Sequence, residues 1–477
     1  MSYPSTLQLF IDGEWLSGSG RRTQPVVNPA TEEIVGELPH ASVADLDRAL
    51  AAAERGFPVW RATPPQERAK VLKRAADLLR ERQADIARNA TIEAGKPIVE
   101  TRIEVGMAAD TLEWYAEEGR RAYGRVLPQR APGMRLTVLK EPIGPVAAFA
   151  PWNFPLGNPA RKLGAALGAG CSVIMKPAEE TPASGLAVAR ALVDAGLPNG
   201  VLGIVFGVPA EVSSHLLASP VIRKISFTGS TQVGKHLVKL AADGMKRTTM
   251  ELGGHAPVIV FDDVDVDHVL DLSVAAKFRN AGQVCVSPTR FHVHVRIYDS
   301  FVAGFAKRAA ALPVGDGRVE TNRMGPLISA RRLSAIQAFI EDAREHGAAV
   351  RSGGERLRSP GYFWAPTVLS DVPDSARIMN EEPFGPVAVI SPFHTYEEAI
   401  REANRLPYGL AAFAFTSSVR YANLLGEQLE AGMVGINSYL ISVPESPFGG
   451  MKESGHGSEM GVEGLDACLV TKFVSVM

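Results

Sequence analysis

At 477 residues the chain is too long for one hydrophobic core, so two or three domains are expected. Charged residues make up 21%, hydrophobic ones 46%, and the net charge is -2 with no long Lys/Arg run, which excludes a nucleic-acid or anionic-membrane footprint. Cys171, Cys285 and Cys468 are few, odd in number and far apart, which argues against a disulfide framework and fits a reducing compartment. The first dozen residues carry neither a basic nor a long apolar segment, and the longest charge-free stretch, Pro142 to Ala160, holds five prolines. A soluble cytoplasmic protein without a membrane span is the expectation.

Residues 8–40 read as short strands and turns. Helical spacing follows from about 43 to 90, with Val71, Leu72, Ala75, Leu78, Leu79 and Ile86 on one face, and again over 100–120. The segment 121–141 looks extended and polar. Short apolar runs at 145–150, 172–176, 201–206 and 222–227 then alternate with helical patterns, which predicts a parallel sheet flanked by helices. A second block of the same character starts at Pro257, with strands at 290–295, 386–390 and 411–416 and helices near 298–311 and 329–347. A Gly-rich stretch, 447–464, precedes an extended tail, Cys468–Met477.

Several turns fall where an open parallel sheet meets ligands, at the carboxyl ends of its strands. Lys176-Pro177-Ala178-Glu179 ends one strand; the lysine could bind ribose hydroxyls and Glu179 could accept from the diol while repelling a 2′-phosphate, unless the turn is merely solvated. Gly229-Ser230-Thr231-Gln232-Val233-Gly234-Lys235-His236 nearly matches a phosphate loop, but His236 replaces the magnesium-binding hydroxyl. What remains is a glycine-bounded helix N-terminus suited to a phosphate. Trp152-Asn153-Phe154-Pro155 offers an amide as an oxyanion donor or a loop cap. Glu251-Leu252-Gly253-Gly254 and Glu381-Glu382-Pro383-Phe384-Gly385-Pro386 offer carboxylates for general-base work, though single acids in turns are commonly solvated. Gly164, Gly168 and Gly170 lack dinucleotide-fingerprint spacing and read as packing glycines. His292 and His294 alternate on one strand without ligand-forming neighbours and read as surface residues, so no metal site is expected. Cys285, in Phe278-Arg279-Asn280-Ala281-Gly282-Gln283-Val284-Cys285-Val286-Ser287-Pro288, reads alone as a small core residue.

These motifs, in this order, resemble the aldehyde dehydrogenase superfamily over essentially the whole chain, most closely the succinate-semialdehyde dehydrogenases. The resemblance implies an α/β architecture: a Rossmann-like NAD-binding domain (1–120 and 142–253), an α/β catalytic domain (254–453), and a small β oligomerisation arm (121–141 and 454–477) serving a homodimer or homotetramer. It implies Cys285 as nucleophile, Asn153 and the Cys285 N–H as oxyanion donors, and Glu251 as the base that activates water. Trp152, Lys176, Glu179, Phe227, Gly229, Ser230, Val233, Leu252, Glu382 and Phe384 would hold the dinucleotide, NAD being favoured by Glu179 with NADP as the alternative.

Arg161 and Arg279 match positions at which succinate-semialdehyde dehydrogenases grip the far carboxylate of their small aldehyde substrate, and Ser442 would add a hydrogen bond; structural ion pairs are the other use of such arginines. Ser287 stands where some relatives carry a second, redox-active cysteine. Val443-Pro444-Glu445-Ser446 departs from the expected loop, and Phe278–Thr289 with Glu251–Pro257 is equally similar to the 2-oxoglutarate-semialdehyde dehydrogenases. A broader-specificity aldehyde dehydrogenase and a catalytically silent binding relative remain the alternatives, with a phosphate-loop triphosphatase more distant.

Overall fold

The four short apolar runs, joined by a fifth strand of mixed composition at Arg247–Glu251, become neighbouring parallel strands in the computed structural model, which describes residues 3–4 and 6–477. In spatial order they are Leu202–Ile204, Val173–Lys176, Val146–Phe149, Lys224–Thr228 and Arg247–Glu251. Antiparallel strands extend this sheet at both edges, Leu9–Ile11 with Glu14–Leu16 on one side and Gly455–His456 on the other. Val146–Phe149 and Val173–Lys176 are buried throughout, the pattern of strands covered on both faces.

The helical expectation over 43–90 resolves into Val43–Ala62, Pro65–Glu81 and Gln83–Ala94, broken at Pro64 and Arg82. Ile98–Glu118 crosses Gly157–Ala169 closely, because a Cβ on Gly164 would lie 2.6 Å from the Tyr115 ring and one on Gly168 2.8 Å from the Tyr115 carbonyl. Those two glycines therefore serve packing, as expected.

A second sheet runs Ala349–Ser352, Thr367–Ser370, Val387–Phe393, Pro288–His294, Ala256–Val260, Ala411–Phe415, Met433–Ile436, parallel except at its first strand. His292 and His294 lie on its middle strand, which corrects their surface reading. His292 is buried, and burial, then the Arg290 and Arg405 charges, push its pKa down to about 3. His294 is half-buried against the Phe393 ring. A third sheet joins Leu469–Val476 to Arg135–Pro142 and Arg125–Leu127, leaving Val126 and Phe473 exposed. No helix is long and apolar enough to cross a membrane, and no cluster of potential metal ligands occurs among the described residues.

The two large sheets face a common cleft with opposite ends. The first offers the residues just after its strands: Trp152, Asn153, Gly229 and Leu252. The second offers residues just before its strands: Gly253, Cys285, Glu382 and Phe384. Close backbone approach sets the junction. Gly282 has φ +68°, and a Cβ there would lie 2.1 Å from the Gly385 carbonyl oxygen. Gly282→Ala should therefore destabilise the protein by about 2–4 kcal/mol through left-handed strain plus overpacking. Denaturant unfolding checks this; a variant as stable as the parent would show that the loops do not need this contact.

Candidate active site

Asn153 lies past the first central strand and is 4% exposed. Its Nδ2 donates to the Gln283 carbonyl oxygen at 3.1 Å, and its Oδ1 accepts from Asn158 at 3.4 Å. One amide N–H is thus engaged and the orientation set, leaving the second N–H as an available donor. Asn280 Nδ2 donates to both the Asn153 and Gln283 carbonyl oxygens at 3.1 Å, so it ties the two loops together.

Asn280 and Ala281 adopt left-handed φ values of 48° and 52°, and Phe384 one of 45°. For these residues such backbone is strained and survives only where surrounding contacts impose it, commonly at functional sites. Arg332 supplies one such contact, donating to the Phe384 carbonyl oxygen at 3.1 Å and also to that of Pro383.

Cys285 is half-buried, and burial, opposed by Arg161 and reinforced by Glu382 and Glu251, pushes its thiol up to about 12. Glu251 is 2% exposed, and neither of its carboxyl oxygens has a hydrogen-bond partner among the described residues. Burial, then the negative Glu459, hold its pKa well above the usual carboxylate range, while Lys162 and Arg161 oppose that rise. Lys162 is paired with Glu459 and donates to Thr228 Oγ1 at 2.8 Å. Burial thus raises the proton affinity of both the thiol and the carboxyl.

Cys285 stands at the boundary of two cavities and, among the described residues, is the one that lines both. The first, about 300 Å³, is lined by Trp152, Asn153, Gly229, Ser230, Glu251, Leu252, Glu382 and Phe384, with Thr228 and Arg332 added. Trp152 meets Phe384 edge to face, with centroids 5.5 Å apart. Ser230 caps the helix Thr231–Ala242 with extended backbone and no side-chain capping bond, so the helix N-terminus presents its N–H groups beside this cavity. A Cβ on Gly229 would strike the Phe227 ring at 2.4 Å, and one on Gly253 the Glu382 carboxylate at 2.5 Å. Aromatic walls, free helix N–H groups and a glycine-shaped floor fit a dinucleotide's ring and pyrophosphate.

Lys176, Glu179, Phe227 and Val233 do not line this cavity. Lys176 and Glu179 are buried and paired at 2.6 Å, and Glu179 also accepts from the Gly207 N–H at 3.2 Å, so the turn is not the solvated alternative. Phe227 is buried beneath Gly229, and Val233 is exposed on the following helix. Glu382 is half-buried rather than solvated; its Oε1 accepts from the Gly254 N–H at 3.3 Å, and burial pushes it up to about 7.

The second cavity, about 410 Å³, brings together Arg161, Arg279 and Ser442 with apolar walls from Ile103, Met107 and Ile441. Arg161 donates to Ser442 Oγ at 2.9 Å and stacks on Phe448 at 4.2 Å. Arg279 is exposed, 5.6 Å from the Phe154 ring centroid. Neither arginine pairs with a carboxylate among the described residues, against the structural ion-pair reading.

Sequence reasoning passes over Asn280, Lys162, Glu459 and Arg332. Asn280 sits inside the stretch already singled out, and Lys162 adjoins Arg161. Glu459 and Arg332 carry no sequence signal, since their roles arise only from tertiary contact.

The aldehyde dehydrogenase family model matches residues 15–474. A 4-(hydroxymethyl)benzenesulfonate dehydrogenase of Comamonas testosteroni is 51% identical over 98% of this chain and 97% of its own. The NADP(+) succinate-semialdehyde dehydrogenase of Escherichia coli is 41% identical over 98% of this chain and 97% of its own. The NAD+ complex of an aldehyde dehydrogenase from Bacillus cereus superposes with TM-score 0.96 at 36% identity, covering 98% of this chain and 96% of that one.

Without dinucleotide, alkylation of Cys285 by iodoacetamide should rise about tenfold per pH unit from about pH 6.5 to 9.5, because only the thiolate reacts and its fraction grows toward a pKa of about 12. A rate that levels off near neutrality would contradict a thiol raised by burial.

Proposed function

The chain belongs to the aldehyde dehydrogenase family, and we propose that it oxidises an aldehyde with an anionic group at its far end, succinate semialdehyde first among them, through a covalent bond to Cys285. The dehydrogenase activity and its dependence on NAD(P) come with the family. The observation that carries the finer reading is the position of Cys285 between two cavities, one suited to a dinucleotide and one holding two unpaired arginines.

In this reading Cys285 Sγ loses its proton to the ionised form of Glu251 and bonds to the aldehyde carbon, while the carbonyl oxygen takes the negative charge. The free N–H of Asn153 and the backbone N–H of Cys285 stabilise that oxyanion. The bound dinucleotide supplies the hydride acceptor that converts this adduct to a thioester. Glu251, once it has passed that first proton to solvent, takes a proton from water, whose oxygen bonds to the thioester carbon as the Cys285 thiolate leaves. Burial suits Glu251 to this task, since a raised pKa makes it a better base at the operating pH.

Trp152, Gly229, Ser230, Leu252, Glu382 and Phe384 would hold the dinucleotide's pyrophosphate and nicotinamide half. Lys176 and Glu179, with Phe227 beneath Gly229 and Val233 on the helix Thr231–Ala242, would hold its adenosine half. Glu179 supports NAD as the preferred form, because a carboxylate repels a 2′-phosphate. Arg161, Ser442 and Arg279 would bind the distal anion.

A second reading is supported by the apolar walls and about 410 Å³ of the second cavity: an aromatic aldehyde bearing a sulfonate. The benzenesulfonate relative is in keeping with it, and a guanidinium binds a sulfonate as it binds a carboxylate. We propose the domain division 1–120 with 142–253, 254–453, and the arm 121–141 with 454–477; the pairing of Leu469–Val476 with Arg135–Pro142 supports the arm, while Gly455–His456 pairs with the first sheet. The exposed apolar residues Val126 and Phe473 on the smallest sheet support a homodimer or homotetramer. Sedimentation should give a dimer or larger species at micromolar concentration; a monomer would remove that proposal.

Steady-state rates decide the substrate. Succinate semialdehyde, glutarate semialdehyde and 4-sulfobenzaldehyde should be compared with uncharged aldehydes of matched size, using NAD and NADP. The best anionic aldehyde should exceed its uncharged match by about 100-fold in kcat/KM, and Arg279→Ala should erase most of that advantage. If the variant slows charged and uncharged aldehydes equally, the arginine does not read the anion.

A further inference from the structure

The helix Ile98–Glu118 belongs to neither catalytic loop, yet two of its carboxylates reach both. Glu104, 2% exposed, accepts through Oε1 from the N–H groups of Leu156 and Gly157, at 2.9 and 3.1 Å. It thereby caps the helix that follows Asn153. Its Oε2 binds Lys96 at 2.5 Å, and that ammonium lies 4.1 Å from the Phe154 ring centroid. One turn earlier, Glu100 accepts from the Asn280 N–H with both oxygens, at 3.0 and 3.3 Å. Residues four apart on a helix project to the same side. The two carboxylates therefore act as a pair of struts, one under each loop of the active site.

Glu100 bears on the part of the site under most strain. Its partner Asn280 is the first of two consecutive left-handed residues, and it is also the residue whose side-chain amide joins Asn153 to Gln283. Arg279 precedes it directly. Glu100 makes no ion pair among the described residues; burial pushes its carboxyl up to about 7, opposed by the Lys96 and then the Arg279 charge. Its carboxylate is committed to a backbone N–H, and Arg279 is left available to the second cavity.

We propose that Glu100 is a positioning residue for the dehydrogenase reaction: by accepting from the Asn280 N–H it holds the left-handed turn that presents Arg279 to the substrate cavity and sets Cys285 against Asn153. The Arg279 half of this rests on the anionic-aldehyde reading; the Cys285 half does not.

Glu100→Ala, Glu100→Asp and Glu100→Gln test it. Ala removes the acceptor, Asp withdraws it by one methylene, and Gln restores an oxygen at the same reach. In Glu100→Ala and Glu100→Asp, the peptide spanning 278–286 should exchange its amide hydrogens faster, while the strand Lys224–Thr228 should not change. Both variants should lose about tenfold or more in kcat for any aldehyde the parent turns over, with dinucleotide affinity within about twofold of the parent, because a small misplacement of the nucleophile is costly. Glu100→Gln should recover most of the activity and the protection.

Should Glu100→Ala fail to fold, Glu100→Asp decides alone. Unchanged exchange at 278–286, parental kcat in the Asp variant, a Gln variant as impaired as Ala, or a parallel loss of dinucleotide affinity would each overturn the proposal. Because exchange and kcat are read with whichever aldehyde works, a wrong guess about the anionic tail leaves this test intact.

Discussion

Two side-chain amides converge on one carbonyl oxygen, and the active site depends on that node. Asn153 and Asn280 both donate to the Gln283 oxygen at 3.1 Å, and Asn280 also donates to the Asn153 backbone. These bonds join the end of a strand in one sheet to the approach of a strand in another. Buried amides leave little freedom, because a donor stripped of its acceptor costs about 1–3 kcal/mol. The loops are thus kept in register, and the left-handed Asn280-Ala281 step before Cys285 is sustained by contacts on every side. Gly282 closes the arrangement by letting the Gly385 backbone come within reach.

Burial then determines the chemistry. Cys285 and Glu251 lie in surroundings that disfavour charge on either, with pKa values raised by desolvation. Moving a proton from the thiol to the Glu251 carboxylate shifts one negative charge onto sulfur without adding a second, and a second buried charge would cost far more than one at the surface. Arg161 lowers both groups, so the residue assigned to the substrate anion also bears on the nucleophile and base. An anion bound at Arg161 would weaken that help. This links substrate recognition to reactivity through one guanidinium.

Much of the architecture is legible in the sequence because buried parallel strands read as short apolar runs separated by helices. The rule that ligands gather at carboxyl ends points to Asn153, Gly229 and Glu251, which line the first cavity together. It misses the second sheet, whose contributions, Cys285 and Glu382, come from the amino ends of its strands. There only the resemblance of the motifs identifies the residues. His292 reads as exposed because alternation cannot tell a central strand from an edge one. Glu459 is invisible for a different reason: it meets Lys162 across 297 residues of chain, and nothing local records that contact. Glu100 and Glu104 read as ordinary charges of an amphipathic helix, since what they accept from lies on loops the sequence does not place.

The account turns on a covalent bond between substrate and Cys285 whose release depends on Glu251. Intact-mass and peptide mass spectrometry of Glu251→Gln, mixed with NAD and the best aldehyde and quenched in acid, tests this directly. The variant should accumulate the acyl group of the product acid on the peptide containing Cys285, one per active subunit, after a single round of NADH formation. A burst of NADH with no mass added to Cys285, or an acyl group found on another residue, would contradict it.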